Sequence, residues 1–331
     1  MKRYILILLA ISLCLPLSAQ WREDILGDDF QQLTMQSGSG ECATLVACVP
    51  LLDSGRAVLY VHGYNDYFFQ AGMAQQFRNR GYNFYAVDLR GYGRSMVEEQ
   101  TPFQVAELSD YFEDIDSALS IMSGEGVESV VLMGHSTGGL TLSLYADNKE
   151  HNPMVEALVL NSPFFDMNLG WFVEKMVVPV MSTLGGRFPT IATSSSEKIG
   201  AYAQSLLSRY HGEWEYDESM KFSTSLPISS MWIRAIHHGH KELHGGLNIP
   251  YPTLVMHSDN TVNGNNWTPE HQSGDSVLDV RDIAKYAPGV GKDVTVVEIK
   301  GALHDIVLSE ESVRNHAYQV IFDWLDSAVT R

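Results

Sequence analysis

The order of apolar and polar positions along the chain alternates between two periods. Short apolar runs rich in β-branched residues, typical of buried strands, occupy residues 56–61, 83–89, 130–133, 155–160, 252–258 and 293–299. Apolar residues at helical spacing follow in residues 103–122, 140–149 and 313–325. Strands that alternate with helices predict an α/β fold, with a mostly parallel central sheet that helices cover on both faces. We expect functional loops at the carboxyl ends of these strands.

The alternation breaks between about residues 164 and 249. This segment is interrupted by glycine and serine clusters, and its first part contains the apolar residues Trp171, Phe172, Met176, Val177 and Met181. The pattern predicts an insertion in the alternating fold. For each of these residues, simple packing against the core is as good an explanation as a functional role.

The first nineteen residues differ from the rest of the chain. Lys2 and Arg3 precede an apolar run over residues 5–15, and Ala19 supplies a small residue at the cleavage position. We interpret residues 1–19 as a secretory signal peptide, which predicts export to the periplasm or the medium. A membrane anchor is the alternative, but the run is shorter than the roughly 18 residues of a spanning helix. We therefore expect no stable membrane span.

The most informative motif follows the apolar run at 130–133. Gly134-His135-Ser136-Thr137-Gly138 matches Gly-x-Ser-x-Gly between a strand and a helix. This context is typical of a nucleophile elbow, in which a sharp turn exposes the serine hydroxyl. The glycines fit because a side chain would collide across such a tight turn. We predict Ser136 as a nucleophile that needs a base, an acid and an oxyanion site.

Two further sequence segments supply the base and the oxyanion donors. His304 lies in the loop after the last predicted strand, which fits a general base downstream of the serine. The strand at 56–61 runs into His62, and the loop after it is expected to donate the backbone N–H of Tyr64. The other donor is the backbone N–H of Thr137, and we expect His62 to support the loop.

Two aspartates compete for the role of triad acid. Asp259 directly follows the strand at 252–258, whereas Asp275 lies beyond an insertion of residues 263–273 that is rich in Asn and Gly. Asp275 precedes a predicted helix that contains Asp279 and Asp282 in its first turn. Both candidates remain open on spacing alone.

Taken together, the motifs resemble those of the α/β-hydrolase superfamily, and most closely its lysophospholipase and monoacylglycerol lipase branch, also labelled serine aminopeptidase S33-like or Hydrolase_4. The resemblance rests on five segments in the family's order: residues 62–64, 88–95, 134–139, 161–163 and 301–305. It implies an α/β-hydrolase domain over residues 20–331, with a helical cap or lid at about 164–249 that could form an acyl tunnel over Ser136. It also implies hydrolysis of a carboxylic ester, such as a monoacylglycerol or lysophospholipid, and favours Asp275 as the acid. The acid region is where the chain departs from the family, because an insertion replaces the usual short turn.

Composition narrows the partners. The 331 residues are 45% hydrophobic, which is enough for one large core, and the formal charge of −18 repels phosphate backbones and anionic membranes. We therefore expect a small-molecule ester or lipid substrate and no nucleic acid. No cofactor is required, and no oligomeric state is predicted.

Cysteine and histidine give two weaker signals. Cys42 and Cys48 lie six strand residues apart, about 20 Å, so we predict free thiols on an early hairpin. His237, His238, His240 and His244 suggest a metal, but no completing ligand is apparent, and we favour exposed imidazoles at the end of the insertion. No metal site is predicted.

Two other functions compete with ester hydrolysis. An S33-like aminopeptidase would need acidic cap residues to hold a substrate ammonium, and Glu174, Glu197, Glu213, Glu215 and Asp217 are available. A third possible function is that of a non-catalytic ligand-binding protein with the same fold. The presence of both Ser136 and His304 disfavours it.

Overall fold

The computed structural model describes residues 20–38, 40–98, 100–148, 152–169 and 173–329. The predicted signal peptide, residues 1–19, and the cap residues Trp171 and Phe172 lie outside the described residues.

Eleven strands lie within the described ranges, and six of them match the six predicted apolar runs closely. Their bounds are β1 Arg22–Asp24, β2 Gly27–Gln36, β3 Cys42–Cys48, β4 Arg56–Val61, β5 Asn83–Asp88, β6 Ser129–His135, β7 Val155–Asn161, β8 Ser196–Ile199, β9 Thr224–Ser225, β10 Thr253–Ser258 and β11 Val294–Ile299.

Nine of the described strands form one sheet in the order β1-β2-β3-β5-β4-β6-β7-β10-β11. Six neighbouring strands of the sheet are parallel to one another: β5, β4, β6, β7, β10 and β11. The strands β1, β2 and β3 add an antiparallel edge. The strands β4 and β6 are adjacent, with Val61 opposite Gly134, so the loops that follow them meet at one edge of the sheet. The predicted mostly parallel sheet is confirmed.

The described ranges contain eight α-helices: α1 Ala71–Arg78, α2 Phe112–Gly124, α3 Thr137–Asp147, α4 Val178–Gly185, α5 Ala201–Leu206, α6 Ser230–His244, α7 Val280–Tyr286 and α8 Glu311–Ala328. Helices α1, α2, α3, α7 and α8 flank the sheet on its two faces, whereas α4, α5 and α6 lie in the segment between β7 and β10. On one face, Leu119 and Leu140 bring α2 and α3 into a large core cluster. On the other face, Phe77 of α1 and Phe322 of α8 belong to a second cluster. Burial of apolar residues on both faces explains why the parallel strands read as continuous hydrophobic runs.

The segment between β7 and β10 contains α4, β8, α5, β9 and α6 and is called the cap below. Its helices α4 and α6 pack closely, since a Cβ on Gly185 would lie 2.2 Å from the carbonyl oxygen of Ser230. A glycine at this crossing therefore sets the distance between the two helices.

The predicted helix at 103–122 begins later than its apolar spacing indicates. Residue Phe103 has φ 64°, and its N–H donates to the carbonyl of Gly91 at 3.1 Å, so this part of the chain turns. The α-helix itself starts at Phe112. Val105 and Leu108 are buried although they precede the helix. Burial of turn residues produced the misleading helical pattern.

The two cysteines of the described chain occupy the two ends of β3, and both are free thiols. Residues Gln36 and Cys42 pair across the β2–β3 hairpin, so the predicted early hairpin is confirmed. In the part of the chain that the structure describes, none of the helices combines the length and apolar character needed to cross a bilayer.

Candidate active site

Ser136 stands at the junction of β6 and α3. Its backbone has φ 52° and ψ −118°, a region that ordinary residues rarely occupy. The neighbouring glycines make the turn possible, because a Cβ on Gly134 would lie 2.8 Å from the backbone of Gly138 and one on Gly138 would lie 2.3 Å from the carbonyl oxygen of His62. The Gly-x-Ser-x-Gly motif therefore forms the sharp strand–turn–helix that its sequence context predicts.

Three side chains far apart in the sequence meet at this turn. Nε2 of His304 lies 3.0 Å from Oγ of Ser136, and Nδ1 of His304 lies 2.8 Å from Oδ2 of Asp275. All three residues are buried, with Asp275 fully enclosed. The arrangement places an imidazole between a hydroxyl and a carboxylate, which is the geometry of an activated serine nucleophile.

The two candidate acids occupy different positions. Oδ1 of Asp275 accepts hydrogen bonds from the backbone N–H groups of Val277 and Leu278, both at 2.8 Å, which leaves Oδ2 directed at His304. Oδ1 of Asp259 instead accepts from the backbone N–H of Gly301 at 2.8 Å. Asp275, and not Asp259, contacts the imidazole.

The insertion before Asp275 is closed at its base. Thr261 and Asp275 form an isolated parallel bridge, and the N–H of Asp275 donates to the carbonyl of Asn260 at 2.8 Å. Within the insertion, the carbonyl of His271 accepts from Ser205 of α5 at 2.9 Å. The loop therefore returns to the end of β10 and also contacts the cap. Further on, Asp282 lies in the first turn of α7 as predicted, whereas Asp279 is its N-cap and accepts from the N–H of Arg281.

The predicted oxyanion loop lies directly against the serine. A Cβ on Gly63 would approach Cβ of Ser136 to 3.0 Å, so the backbone that leads into Tyr64 passes beside the nucleophile. Thr137 is the first residue of α3. The ring of His62 supports the loop, since its Nε2 accepts from the N–H of Leu89 at 3.1 Å. The roles of Tyr64 and Thr137 as donors remain predictions.

A buried polar cluster beside the serine was not found by sequence reasoning. It contains Asp66, His135 and Asp305, and a carboxylate oxygen or imidazole nitrogen of each lies within 4.8 Å of those of the other two. Lys221 of the cap joins them, with its Nζ 2.7 Å from Oδ1 of Asp66. Burial lowers the pKa of His135, which keeps this ring neutral near pH 7. Burial alone would raise the pKa of Asp66, but the Lys221 ammonium brings it below its ordinary value. The Lys221 ammonium therefore compensates the charge of Asp66.

The remaining acid of this cluster is held from two sides. Oδ1 of Asp305 accepts from Nδ2 of Asn161 at 2.7 Å, and Oδ2 accepts from Nε2 of Gln70 at 3.2 Å. In the sequence, the position of Asp305 next to His304 is the one feature that could have indicated this role. These bonds fix the loop that carries the imidazole.

The histidines of α6 differ from the predicted exposed set. His240 is buried and its Nε2 contacts the carbonyl oxygen of Phe164 at 2.8 Å, and burial lowers its pKa to about 3. Nε2 of His244 contacts the carbonyl oxygen of Phe165 at 2.7 Å, and its ring stacks on Tyr286. The prediction of exposed imidazoles is therefore wrong for His240, because this face of α6 packs on the strand-to-cap connection.

An apolar cavity of about 470 Å³ lies between the cap and residues 277–278, which follow Asp275. Its lining includes Phe164, whose N–H donates to the carbonyl of Ser136 at 2.9 Å, and Leu278, whose N–H donates to Asp275. The cap contributes Val177 and Met181 to the same lining, two of the residues predicted for a tunnel. Met176 is exposed instead, at 54% of its surface.

The sequence is similar to one protein family and to two of the curated proteins described below. Residues 53–311 match Hydrolase_4, described as serine aminopeptidase, S33. A monoacylglycerol lipase of Mycolicibacterium smegmatis is 29% identical over 147 residues, which cover 43% of this chain and 49% of the lipase. Lysophospholipase L2 of Escherichia coli is 21% identical over 269 residues, which cover 77% of this chain and 76% of that protein.

Two solved structures show the same fold. A soluble variant of the monoglyceride lipase of Saccharomyces cerevisiae, in complex with a substrate analog, has a TM-score of 0.63 at 16% identity and covers 94% of this chain and 96% of its own. The monoacylglycerol lipase of Paleococcus ferrophilus has a TM-score of 0.59 at 21% identity, with 84% and 96% covered.

These matches confirm the predicted resemblance to the lysophospholipase and monoacylglycerol lipase branch, and they support a carboxylic ester hydrolase. The family match spans residues 53–311, which is more than half of the chain. The chain belongs to the Hydrolase_4 family, serine aminopeptidase S33, of the α/β-hydrolases.

Proposed function

We propose that this protein is a serine hydrolase that cleaves carboxylic esters of apolar acyl chains, such as a monoacylglycerol or a lysophospholipid. The observation that carries the proposal is the hydrogen-bonded chain Ser136–His304–Asp275 next to a cavity with an apolar lining. The catalytic roles below follow from that geometry and from the chemistry of the three groups.

In the first half of the reaction, Oγ of Ser136 attacks the ester carbonyl carbon while Nε2 of His304 takes the hydroxyl proton. The tetrahedral intermediate collapses to an acyl-enzyme, and His304 gives its proton to the leaving alcohol. In the second half, His304 takes a proton from a water molecule as the water oxygen attacks the acyl carbon. The bond between the acyl carbon and Oγ then breaks, His304 returns the proton to Oγ of Ser136, and the carboxylic acid leaves. Asp275 accepts the Nδ1–H of His304 throughout and stabilises the imidazolium that forms.

We assign stabilisation of the oxyanion to the backbone N–H groups of Tyr64 and Thr137. The loop before Tyr64 passes close to Ser136, and Thr137 begins α3 directly after it. Such preorganised donors each contribute about 10²–10³ in rate in comparable sites.

The apolar cavity fits an acyl chain better than a polar substrate. A buried methylene contributes about 0.8 kcal/mol, which corresponds to roughly a fourfold gain in kcat/KM for each CH₂ that enters the cavity. The formal charge of −18 favours a neutral or zwitterionic head group over an anionic one.

Four of the five acidic cap residues named above are already bonded, which does not favour an aminopeptidase. Glu174 pairs with Lys175. Glu213 pairs with Arg314, Glu215 accepts from Ser208, and Asp217 accepts from the N–H of Ser219. Each carboxylate is thus engaged within the cap or with α8.

Two measurements test the proposal. A fluorophosphonate probe should label the wild type and leave Ser136→Ala unlabelled. On p-nitrophenyl esters from acetate to palmitate, kcat/KM should rise with chain length until the cavity is full and exceed the values for aminoacyl anilides by orders of magnitude. No labelling would point to a non-catalytic binding protein, and faster anilide hydrolysis would identify an aminopeptidase.

We further propose that the protein is exported after cleavage near Ala19. Amino-terminal sequencing of the protein from fractionated cells should give a chain that starts at Gln20 outside the cytosol. Full-length protein confined to the cytosol would contradict this proposal.

A further inference from the structure

One loop of the cap, residues 216–222, is bonded to the core loop that carries Tyr64. We call the cap loop the strap and residues 63–67 the oxyanion loop. Nδ2 of Asn65 donates to the carbonyl of Phe222 at 2.8 Å, and the N–H of Phe222 donates back to Oδ1 of Asn65 at 2.8 Å. Asn65 has φ 49°, so it occupies the left-handed region as well. An amide paired with a backbone in this way fixes both the side chain and the turn.

The next residue of the oxyanion loop makes an ion pair with the strap. Nζ of Lys221 lies 2.7 Å from Oδ1 of Asp66, and the two side chains are only 8% and 1% exposed. The ammonium also lies over the rings of Phe69 and Tyr216, at 5.7 and 5.8 Å. A cationic side chain of the cap is therefore buried against the oxyanion loop, and its burial carries a desolvation cost that an exposed lysine would not have.

The third consecutive residue is bonded too. The N–H of Asp217 donates to the hydroxyl of Tyr67 at 2.8 Å. Three successive residues of the oxyanion loop, 65 to 67, thus contact the strap through three different kinds of bond.

These bonds lie next to Tyr64, whose backbone N–H is the proposed oxyanion donor. On one side of Tyr64, Gly63 abuts Ser136, and on the other side lies the bonded Asn65. The ring of Tyr64 packs on Phe103 and Trp232, with centroids 5.0 and 4.6 Å away. Oxyanion donors act because they are preorganised, and a misplacement of about 1 Å costs on the order of 10²-fold in rate.

We propose that the strap positions the oxyanion loop, so that Asn65, Asp66 and Lys221 are positioning residues for the donor N–H of Tyr64. The proposal rests on the ester hydrolysis proposed above. It gives the cap a part in the chemical step in addition to forming the acyl cavity. A buried ion pair contributes little net stability. In this proposal, the Asp66–Lys221 pair acts by holding the oxyanion loop in one geometry.

Two variants separate this effect from folding. Asn65→Gly removes the amide but keeps a residue that adopts φ 49° without strain. The double variant Asp66→Asn, Lys221→Met removes both charges together, so neither is left buried alone. Lys175→Met is the matched control, because Lys175 pairs with Glu174 in the first part of the cap, outside the strap.

The readouts are kcat and KM on p-nitrophenyl butyrate, normalised to serines titrated with a fluorophosphonate, and the Ki of a trifluoromethyl ketone that forms a tetrahedral adduct. For Asn65→Gly we expect kcat to fall about 10- to 100-fold with KM within about twofold and an unchanged pH profile. The Ki should rise by the same factor as kcat/KM falls. The double variant should behave alike, and the control should match the wild type.

Two outcomes would overturn the proposal: kcat per titrated serine within twofold of wild type in both variants, or a fall in kcat with no change in the Ki. A variant that melts at a lower temperature but keeps its kcat per titrated serine would show that the strap is only structural. If the wild type neither reacts with the fluorophosphonate nor hydrolyses the ester, the proposed function has failed, which is a result separate from these.

Discussion

Asp275→Asn gives the sharpest prediction about the reaction. Oδ1 of Asp275 accepts two backbone N–H groups, so the amide oxygen of an asparagine must occupy that position. Its NH₂ group then replaces Oδ2 and faces Nδ1 of His304, 2.8 Å away. Two donors cannot share that contact, so the imidazole adopts the tautomer with its proton on Nε2. It then donates to Ser136 and can no longer accept the serine proton.

The expected loss follows from this tautomer. A triad whose acid is replaced by asparagine loses about 10⁴ in kcat, which corresponds to roughly 5.5 kcal/mol at 1.36 kcal/mol per decade. KM should change little, because the side chain does not contact the acyl cavity. The assay is steady-state hydrolysis of p-nitrophenyl butyrate at pH 7.5, normalised to folded protein by circular dichroism.

Asp259→Asn is the matched control. Its amide oxygen can keep the bond from the N–H of Gly301, so we expect kcat within about twofold of wild type. If Asp259→Asn lost most of the activity while Asp275→Asn kept more than a tenth of it, the assignment of the acid would be refuted.

Three further predictions concern the cavity, the stability and the elbow. Ile233→Asp places a carboxylate in the acyl cavity and should lower kcat/KM for the octanoate ester at least about tenfold more than for the acetate ester, whereas equal losses would indicate packing alone. His240 has a pKa of about 3 against an ordinary 6.5, so the unfolded chain binds the additional proton between these values and stability falls as the pH drops. Urea unfolding from pH 7 to pH 4 should therefore lose up to about 1.4 kcal/mol per pH unit more in the wild type than in His240→Asn, and equal slopes would contradict the burial effect. Gly138→Ala should cost about 3 kcal/mol or more and lower Tm, because its Cβ would lie 2.3 Å from a backbone oxygen, whereas Gly72→Ala, with open space around it, should not.

Much of the fold could be predicted because its signals are local. The strands are buried on both faces and therefore read as apolar runs, and the elbow requires glycines at fixed offsets from Ser136. His304 could be located because it follows the last strand directly. The start of α2 was misplaced because Phe103 and Val105 are buried by a turn, and burial alone does not distinguish a turn from a helix.

Other parts of the site depend on contacts between distant residues. Spacing could not choose between Asp259 and Asp275, since the choice depends on the bridge that returns the insertion to β10. Lys221 carries no local signal at all, because its partner Asp66 lies 155 residues earlier. Its burial is a property of how the cap is seated on the core.

The bridge between Thr261 and Asp275 has a practical consequence for protein engineering. Because the two ends of the excursion are tied together, its tip at residues 263–266, which is exposed, can vary in length without moving the carboxylate. Doubling such a loop costs only about 0.6 kcal/mol in closure entropy. The tip is therefore a permissive site at which an epitope or a fluorophore could be grafted.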